Sequence, residues 1–434
     1  MRGDAPQISS LRMLLYGAPI GVLAQLPGEQ IVTAFDLDYE NDVGRATLSL
    51  SLKTASGALR TPARTRVRLP PFFSNLLPEG HLRQYLAARG GVKPIREFPL
   101  IGLLGRDLPG AIDLRATSDR WTVDSSDGPS QSPNGAAQTP LRFSLAGVQL
   151  KFSALAKTGG GLTIPVSGAG GDWIVKLPST RFQSVPEHEH AMLGLARAVG
   201  ISVPENKLLP LSAIDGLPRD LGPLDGHALG VKRFDRAPDG ARVHIEDFAQ
   251  VFNVYPERKY GTASSEDIAR VIWAESGLDD SLEFVRRLVF TVLTGNADMH
   301  LKNWSVRYAE RTAARLAPAY DLVGTIAFLP NADLALALSG QSQMHSVTMD
   351  SFRRLAAKVG LPTAAVEQTV EQTVRSFQEA WRDDPAVRGL PSRHRSTIAQ
   401  HAQGLPLWRL VSKGTSVTGR IPRGDPRRRT RRRR

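Results

Sequence analysis

The sequence contains no cysteine. That absence excludes disulfides, thiolate metal sites, iron–sulfur clusters and cysteine nucleophiles, and it fits a reducing compartment. No apolar run reaches 18 residues, so no segment reads as a membrane-spanning helix. The start, Met1-Arg2-Gly3-Asp4-Ala5-Pro6, lacks the apolar stretch and small-residue site of a secretory signal. The expectation is a soluble, cytoplasmic protein with no membrane partner. Acidic residues are the minority, 42 Asp and Glu against 55 Lys and Arg, for a net charge of +13. Residues 423–434 hold eight Arg and one Asp, so +7 of that charge is tail and +6 is body. Also missing are a Walker A sequence, a G-x-G-x-x-G and the G-x-S-x-G elbow of serine hydrolases. His188-Glu189-His190 spaces its histidines two apart, on different helix faces, which argues against an H-E-x-x-H zinc site.

What is present is 434 residues, 41% of them hydrophobic, enough for several cores at roughly 150 residues per domain. Residues 13–23 predict a short hairpin, and residues 46–52 alternate small, polar and apolar as a strand does. Helical pattern follows up to about residue 88 and again over 99–104, and the unit ends near Leu114. Residues 117–140 are rich in Ser, Pro, Gly, Asn and Asp, the composition of a linker. Strand-rich stretches over 141–154 and 162–177 are interrupted by glycine clusters. A helix is expected over 186–199, with Pro186 in its first turn and Gly200 after its end. Beyond residue 245 the pattern is mostly helical. One helix starts at an N-cap near Ser264, a buried one covers 282–293, and others cover 349–359, 363–382 and 392–402. From Lys413 the composition is that of a disordered tail.

The sharpest chemical feature is Gly295-Asn296-Ala297-Asp298-Met299-His300-Leu301-Lys302-Asn303. An Asp followed five residues later by an Asn is the spacing of a kinase catalytic loop, where the Asp orients the attacking hydroxyl and the Asn oxygen holds a metal ion. Alone, that spacing arises often by chance. Eighteen residues later, Ala317-Pro318-Ala319-Tyr320-Asp321-Leu322-Val323 places one carboxylate in apolar surroundings, where it is costly unless paired or metal-bound. Asp321 is therefore the candidate second metal ligand. Upstream, Lys176 is the single Lys of the strand Asp172-Trp173-Ile174-Val175-Lys176, and Glu187 and Glu189 on the next helix are candidate partners for it. Such a pair positions triphosphate in kinase folds. Residues 143–151, Phe-Ser-Leu-Ala-Gly-Val-Gln-Leu-Lys, form a small-residue turn whose amides can approach a phosphate. Gly230-Val231-Lys232-Arg233-Phe234-Asp235-Arg236 is a strand end placed to form a hinge against adenine.

In this order, the parts resemble the HipA family, the serine/threonine kinase toxins of bacterial type II toxin–antitoxin systems linked to persistence. The resemblance rests on residues 144–151, Ile174-Val175-Lys176-Leu177-Pro178, Glu189, residues 232–236, the 296–303 loop and Tyr320-Asp321, together with Asn75-Leu76-Leu77-Pro78-Glu79-Gly80 near the start. It covers about residues 10–405. It implies that Asp298 is the catalytic aspartate and that Asn303 and Asp321 bind magnesium. ATP phosphates would be held by Lys176 with Ala146, Gly147, Val148, Gln149, Leu150 and Lys151. Adenine would meet Lys232, Arg233 and Phe234, beside Tyr320. His300 and Lys302 would line the loop, with Lys302 neutralising charge on the transferring group, and Ser144 would be an autophosphorylation site. Leu150 and Lys232 depart from the family pattern, which often carries Glu there, and the arginine tail is no part of it.

The expected fold is α+β: a two-lobed protein-kinase-like fold with an extra N-terminal α+β subdomain and a mostly helical C-terminal lobe. The expected units are an N-terminal subdomain (1–115), a linker (116–140), a nucleotide-binding lobe (141–240), a helical catalytic lobe (241–412) and a disordered tail (413–434). The expected function is ATP- and Mg2+-dependent phosphorylation of a protein in the translation machinery, such as an aminoacyl-tRNA synthetase. A small DNA-binding, HipB-like antitoxin would be the partner, with DNA reached through it and the tail a further candidate DNA contact. Two alternatives share the same sequence: a catalytically silent DNA-associated subunit of a repressor complex, and a small-molecule kinase.

Overall fold

The structure, a computed structural model, describes residues 9–105, 107–117, 151–157, 161–164, 171–179, 181–217, 224–330 and 333–412. The expected linker beyond Thr117, the phosphate turn up to Leu150 and the arginine tail lie outside the described residues.

The chain opens with β1 (Ser9–Leu15) and β2 (Ala18–Leu26), joined through Tyr16-Gly17. Both turn residues have positive φ, 52° and 79°, the mirror-type turn that suits the twist of a two-residue hairpin. With β3 (Gln30–Phe35), β4 (Thr65–Arg66) and β5 (Ile112–Ala116) they form an antiparallel sheet in the order β4-β3-β2-β1-β5. Leu11, Met13, Leu15, Ile20 and Leu23 are buried together with Phe72, Phe73, Phe98 and Ile101 from the helical segments that follow β4. Residues 46–52 are not a strand. Leu48 and Leu52 point inward as the alternation requires, but the Leu50 amide donates to the Glu246 carboxylate rather than to a neighbouring strand, and Leu50–Leu52 winds into a 3-10 turn. The short helix expected at 99 begins earlier, as Glu97–Leu104. The buried Glu97 carboxylate accepts from the Leu69 amide and the Ser74 hydroxyl.

A second sheet holds β6 (Lys151–Ala156), β7 (Leu162–Thr163), β8 (Trp173–Lys176), β9 (Asn206–Pro210), β10 (Ile214–Asp215) and β11 (His227–Lys232), in the order β10-β7-β6-β8-β11-β9. β7 and β10 run parallel and the other pairs antiparallel. The helix Val185–Ala198 packs its apolar face, Met192, Leu193, Leu195 and Ala196, into the same core as Leu229 and Val231 of β11.

The remainder is mostly helical, with a small sheet of β12 (His244–Asp247), β13 (Ser305–Tyr308) and β14 (Arg315–Leu316). Its central helix, Leu278–Thr294, exceeds the expected 282–293 by a turn at its start. Phe284, Val285, Val289, Phe290, Val292 and Leu293 are buried along it, each stabilising the fold by about 1.5–3 kcal/mol. The helix stops at Gly295, whose φ of 66° is left-handed and where a Cβ would stand 2.6 Å from Ile326. That stop releases the chain into the 296–303 loop. Helices at Met349–Val359, Thr363–Asp383 and Ser392–Gly404 complete the lobe.

The N-terminal unit is tied to the rest by buried polar contacts. Asp107 pairs with Arg233, the Gly110 amide donates to Asp235, and Ser49 donates to Glu246. No described helix is long and apolar enough to cross a membrane.

Candidate active site

The loop after Gly295 is shaped by its own amide side chains. The Asp298 amide donates to Asn296 Oδ1 at 3.0 Å, and Asn303 Nδ2 donates to the Asp298 carbonyl at 2.7 Å. The second bond closes the loop across the five-residue interval and commits the amide nitrogen of Asn303, leaving its Oδ1 as a donor atom for a cation. The Ala297 amide donates to Thr325 Oγ1 at 2.8 Å, which ties the loop to the segment after Asp321. Burial pushes the Asp298 carboxyl above its usual range, opposed by a bond from Tyr260 and the charge of Lys259.

Across the cleft, Lys176 at the end of β8 is buried. Its ammonium bonds Glu189 Oε1 at 2.5 Å and also Asp321. Glu187 takes no part, because it pairs with His227 at 3.0 Å. Lys151, at the start of β6, reaches both Asp321 oxygens at 3.0 and 3.3 Å. Burial opposes a charge on Asp321, yet Lys151 and Lys176 together hold it well below the carboxylate range. Burial likewise opposes a charge on Lys176, and Asp321 and Glu189 outweigh it, keeping the ammonium protonated. Asp321 adopts a left-handed φ of 52°, an uncommon backbone state for a residue other than glycine, which turns its carboxylate out of the apolar segment around it.

The other sequence candidates are placed differently from one another. Tyr320 donates to the Lys302 carbonyl at 2.8 Å, and its ring lies 5.6 Å from that of Phe234. Arg233, expected at adenine, lines the cleft with Lys232 and Phe234, and its guanidinium is buried against Asp235 and Asp107, which joins the N-terminal unit to the end of β11. Lys232 pairs with Glu205 at 3.4 Å. Lys302, expected to neutralise a transferring phosphoryl group, lines the cleft and is held by Asp247 at 2.8 Å and by the Asn75 carbonyl at 2.9 Å. Its charge is already matched. His300 is neutral: burial takes its pKa down to about 3, and its buried Nδ1 has no hydrogen-bond partner. Ser144, Ala146, Gly147, Val148, Gln149 and Leu150 lie outside the described residues. His188, set aside as a zinc ligand, accepts the Gly324 amide on Nε2 and meets His394 through Nδ1.

Lys151, Lys176, Glu189, Asp298, Asn303 and Asp321 all line one cleft of about 1210 Å³. A buried ammonium group, Lys176, and a half-buried one, Lys151, in one cleft with an amide oxygen and a carboxylate suit a polyphosphate and a hard divalent cation. Asn303 Oδ1 and the Asp321 carboxylate are the oxygen donors that magnesium prefers. Several contacts at the site could not be read from the sequence. Glu79 pairs with Lys259 at 2.7 Å, and Tyr260 bonds Asp298, from polar loops without periodicity. Asp247 carries a capping signature, with Gln250 three residues on, but its ion pair with Lys302 follows only from the fold.

Comparison with known proteins matches residues 143–381 to the HipA-like C-terminal domain and residues 11–115 to the HipA N-terminal domain. A Sinorhizobium fredii relative named as a kinase, Y4dM, is 47% identical over 418 residues, covering 94% of this chain and all of the relative. The serine/threonine-protein kinase toxin HipA of Shewanella oneidensis is 24% identical over 349 residues, 73% of this chain and 77% of that one. The solved complex of Shewanella oneidensis HipA, HipB and operator DNA contains a chain that superposes with a TM-score of 0.69 at 21% identity, covering 92% of this chain and 96% of that one. The shared fold is the α+β, kinase-like one.

Proposed function

The chain belongs to the HipA family, a kinase-like family, and on that footing we propose that it transfers the γ-phosphoryl group of ATP to a serine or threonine hydroxyl of a protein. One observation carries the reading: Asp298, Asn303, Asp321 and the Lys176–Glu189 pair face a single cleft from both sides. Lys176 and Lys151 present fixed positive charge to the phosphates, and Glu189 keeps Lys176 from swinging away. Asp298 accepts a hydrogen bond from the acceptor hydroxyl and orients it for attack. Asn303 Oδ1 and Asp321 would hold magnesium, which when bound would neutralise charge on the phosphate oxygens. The barrier then falls through positioning and electrostatics.

In the family's pattern, the kinase would be the toxin of a type II toxin–antitoxin module and act on a translation protein such as an aminoacyl-tRNA synthetase. Phosphate on Ser144 would limit it, since added negative charge opposes closure of a phosphate-binding turn. A small HipB-like antitoxin that binds DNA is the expected partner, as HipB accompanies HipA in the Shewanella oneidensis complex.

The test incubates purified protein with magnesium and γ-labelled ATP beside Asp298→Asn, and locates phosphate by mass spectrometry. Label on Ser144 in the wild type, and transfer lowered at least about 100-fold in the variant, is the expected result. Growth arrest on expression, lost in Asp298→Asn, would support the toxin role. Absence of both label and calorimetric ATP binding would overturn the kinase reading.

A further inference from the structure

Tyr260 lies between the 3-10 turn Pro256–Arg258 and the helix Ser265–Ser276. Its hydroxyl donates to Asp298 Oδ1 at 2.6 Å. The loop carrying it is fixed to the 296–303 loop at two further points. The Leu301 amide donates to the Lys259 carbonyl at 3.3 Å, and the Tyr260 ring stands edge-on to His300 with centroids 5.0 Å apart. Lys259 is itself held by Glu79 at 2.7 Å. Asp298, His300 and Lys259 line the cleft, whereas Tyr260, 41% exposed, comes to Asp298 from outside that lining. The hydroxyl engages Oδ1 alone, and among the described residues Oδ2 accepts no hydrogen bond.

A carboxylate turns easily about its last torsion, which is broad and roughly two-fold. Bonded at one oxygen by a donor on a rigid ring, it has a single preferred plane. We propose that Tyr260 is a positioning residue for phosphoryl transfer, fixing the plane of the Asp298 carboxylate so that Oδ2 meets the acceptor hydroxyl. This rests on the kinase reading above. A phenol suits the task because it donates without adding a charge beside the acceptor. Burial and the negative charge of Asp298 hold its proton in place across the working pH range.

The test is Tyr260→Phe, which removes one oxygen at a partly exposed site and keeps the ring against His300. Transfer from labelled ATP should slow about 10-fold, while KM for ATP and the calorimetric Kd stay within about two-fold of wild type. In an Asp298→Ala background, with no carboxylate left to orient, the same change should slow residual transfer no further. An unchanged rate would overturn the proposal, as would equal slowing in both backgrounds, the mark of a structural role. A faster Tyr260→Phe would overturn it too, by showing that the hydroxyl obstructs the acceptor. Wild-type protein that transfers no phosphate fails at the earlier reading and takes this one with it.

Discussion

Lys176 Nζ and Glu189 Oε1 stand 2.5 Å apart, one at the end of a strand and the other on the following helix, both almost wholly withdrawn from water. The same ammonium reaches Asp321, 145 residues further along the chain. One buried cation thus joins the sheet, the helix beside it and the segment after the 296–303 loop.

Breaking that pair from one side should cost more than removing it whole. Lys176→Met strands a buried Glu189 carboxylate and should lower stability by about 3–5 kcal/mol in urea titration. Adding Glu189→Leu should restore most of that loss, because Asp321 keeps Lys151 as a partner. Neither variant should bind ATP with wild-type affinity. Equal stability of the single and double variants would remove the pair as the source of the effect.

Phosphoryl transfer should require a divalent cation held by Asn303 and Asp321. Chelation with EDTA should abolish label uptake, and added magnesium should restore it. Asn303→Ala should raise the magnesium concentration for half-maximal transfer by about 10-fold or more, the loss of one oxygen ligand. Asp321→Asn should do so too, and it also leaves Lys151 and Lys176 facing each other without their shared carboxylate. A magnesium titration unmoved by either variant would exclude these residues as ligands.

Stability should carry a signature of Glu246, buried where the N-terminal unit meets β12. Burial raises its pKa to about 7, against donors from Ser49, Tyr308 and the Leu50 amide. From about pH 4.5 to 7 the unfolded chain binds fewer protons at this group than the folded one, so its contribution to stability falls as pH rises through that window. At about 1.4 kcal/mol per unit, the whole loss is about 3 kcal/mol. His244 beside it, held neutral by burial with a pKa of about 4, contributes the opposite slope between about 4 and 6.5. The clean readout is therefore the stability difference between Glu246→Gln and wild type. It should move in favour of the variant between pH 5 and pH 8, and a constant difference would mean that Glu246 is ionised throughout.

Local pattern made much of this fold legible. The hairpin through Tyr16-Gly17 and the helices at Val185–Ala198 and Thr363–Asp383 follow from turn chemistry and apolar spacing, and match within a few residues. Residues 46–52 did not, because alternation reports which side chains point inward and says nothing about whether a strand lies alongside. At the site, Asp298, Asn303, Asp321 and Lys176 stood out as polar residues at mechanism-bearing intervals or in apolar company. Tyr260 stayed silent, and the partner of Glu79 could not be read from its motif, because both contacts depend on loops brought together from distant parts of the chain. Arg233 shows the converse. A basic residue at a strand end suggests a ligand contact, and only the fold reveals that Asp107, 126 residues earlier, has already matched its charge.

Lys302, inside the 296–303 loop, is anchored by Asn75, 227 residues before it. Ribosomes make the anchor first and the loop long afterwards, so a nascent chain carries its N-terminal unit well before it has anything to arm. On the kinase reading, a chain interrupted anywhere before residue 298 would lack the aspartate for an acceptor hydroxyl, and one that loses its first hundred residues leaves Lys302 with Asp247 alone. On the toxin reading proposed above, activity would arrive only once the N-terminal unit and the 296–303 loop have both been made, which would spare the cell from a partly synthesised chain.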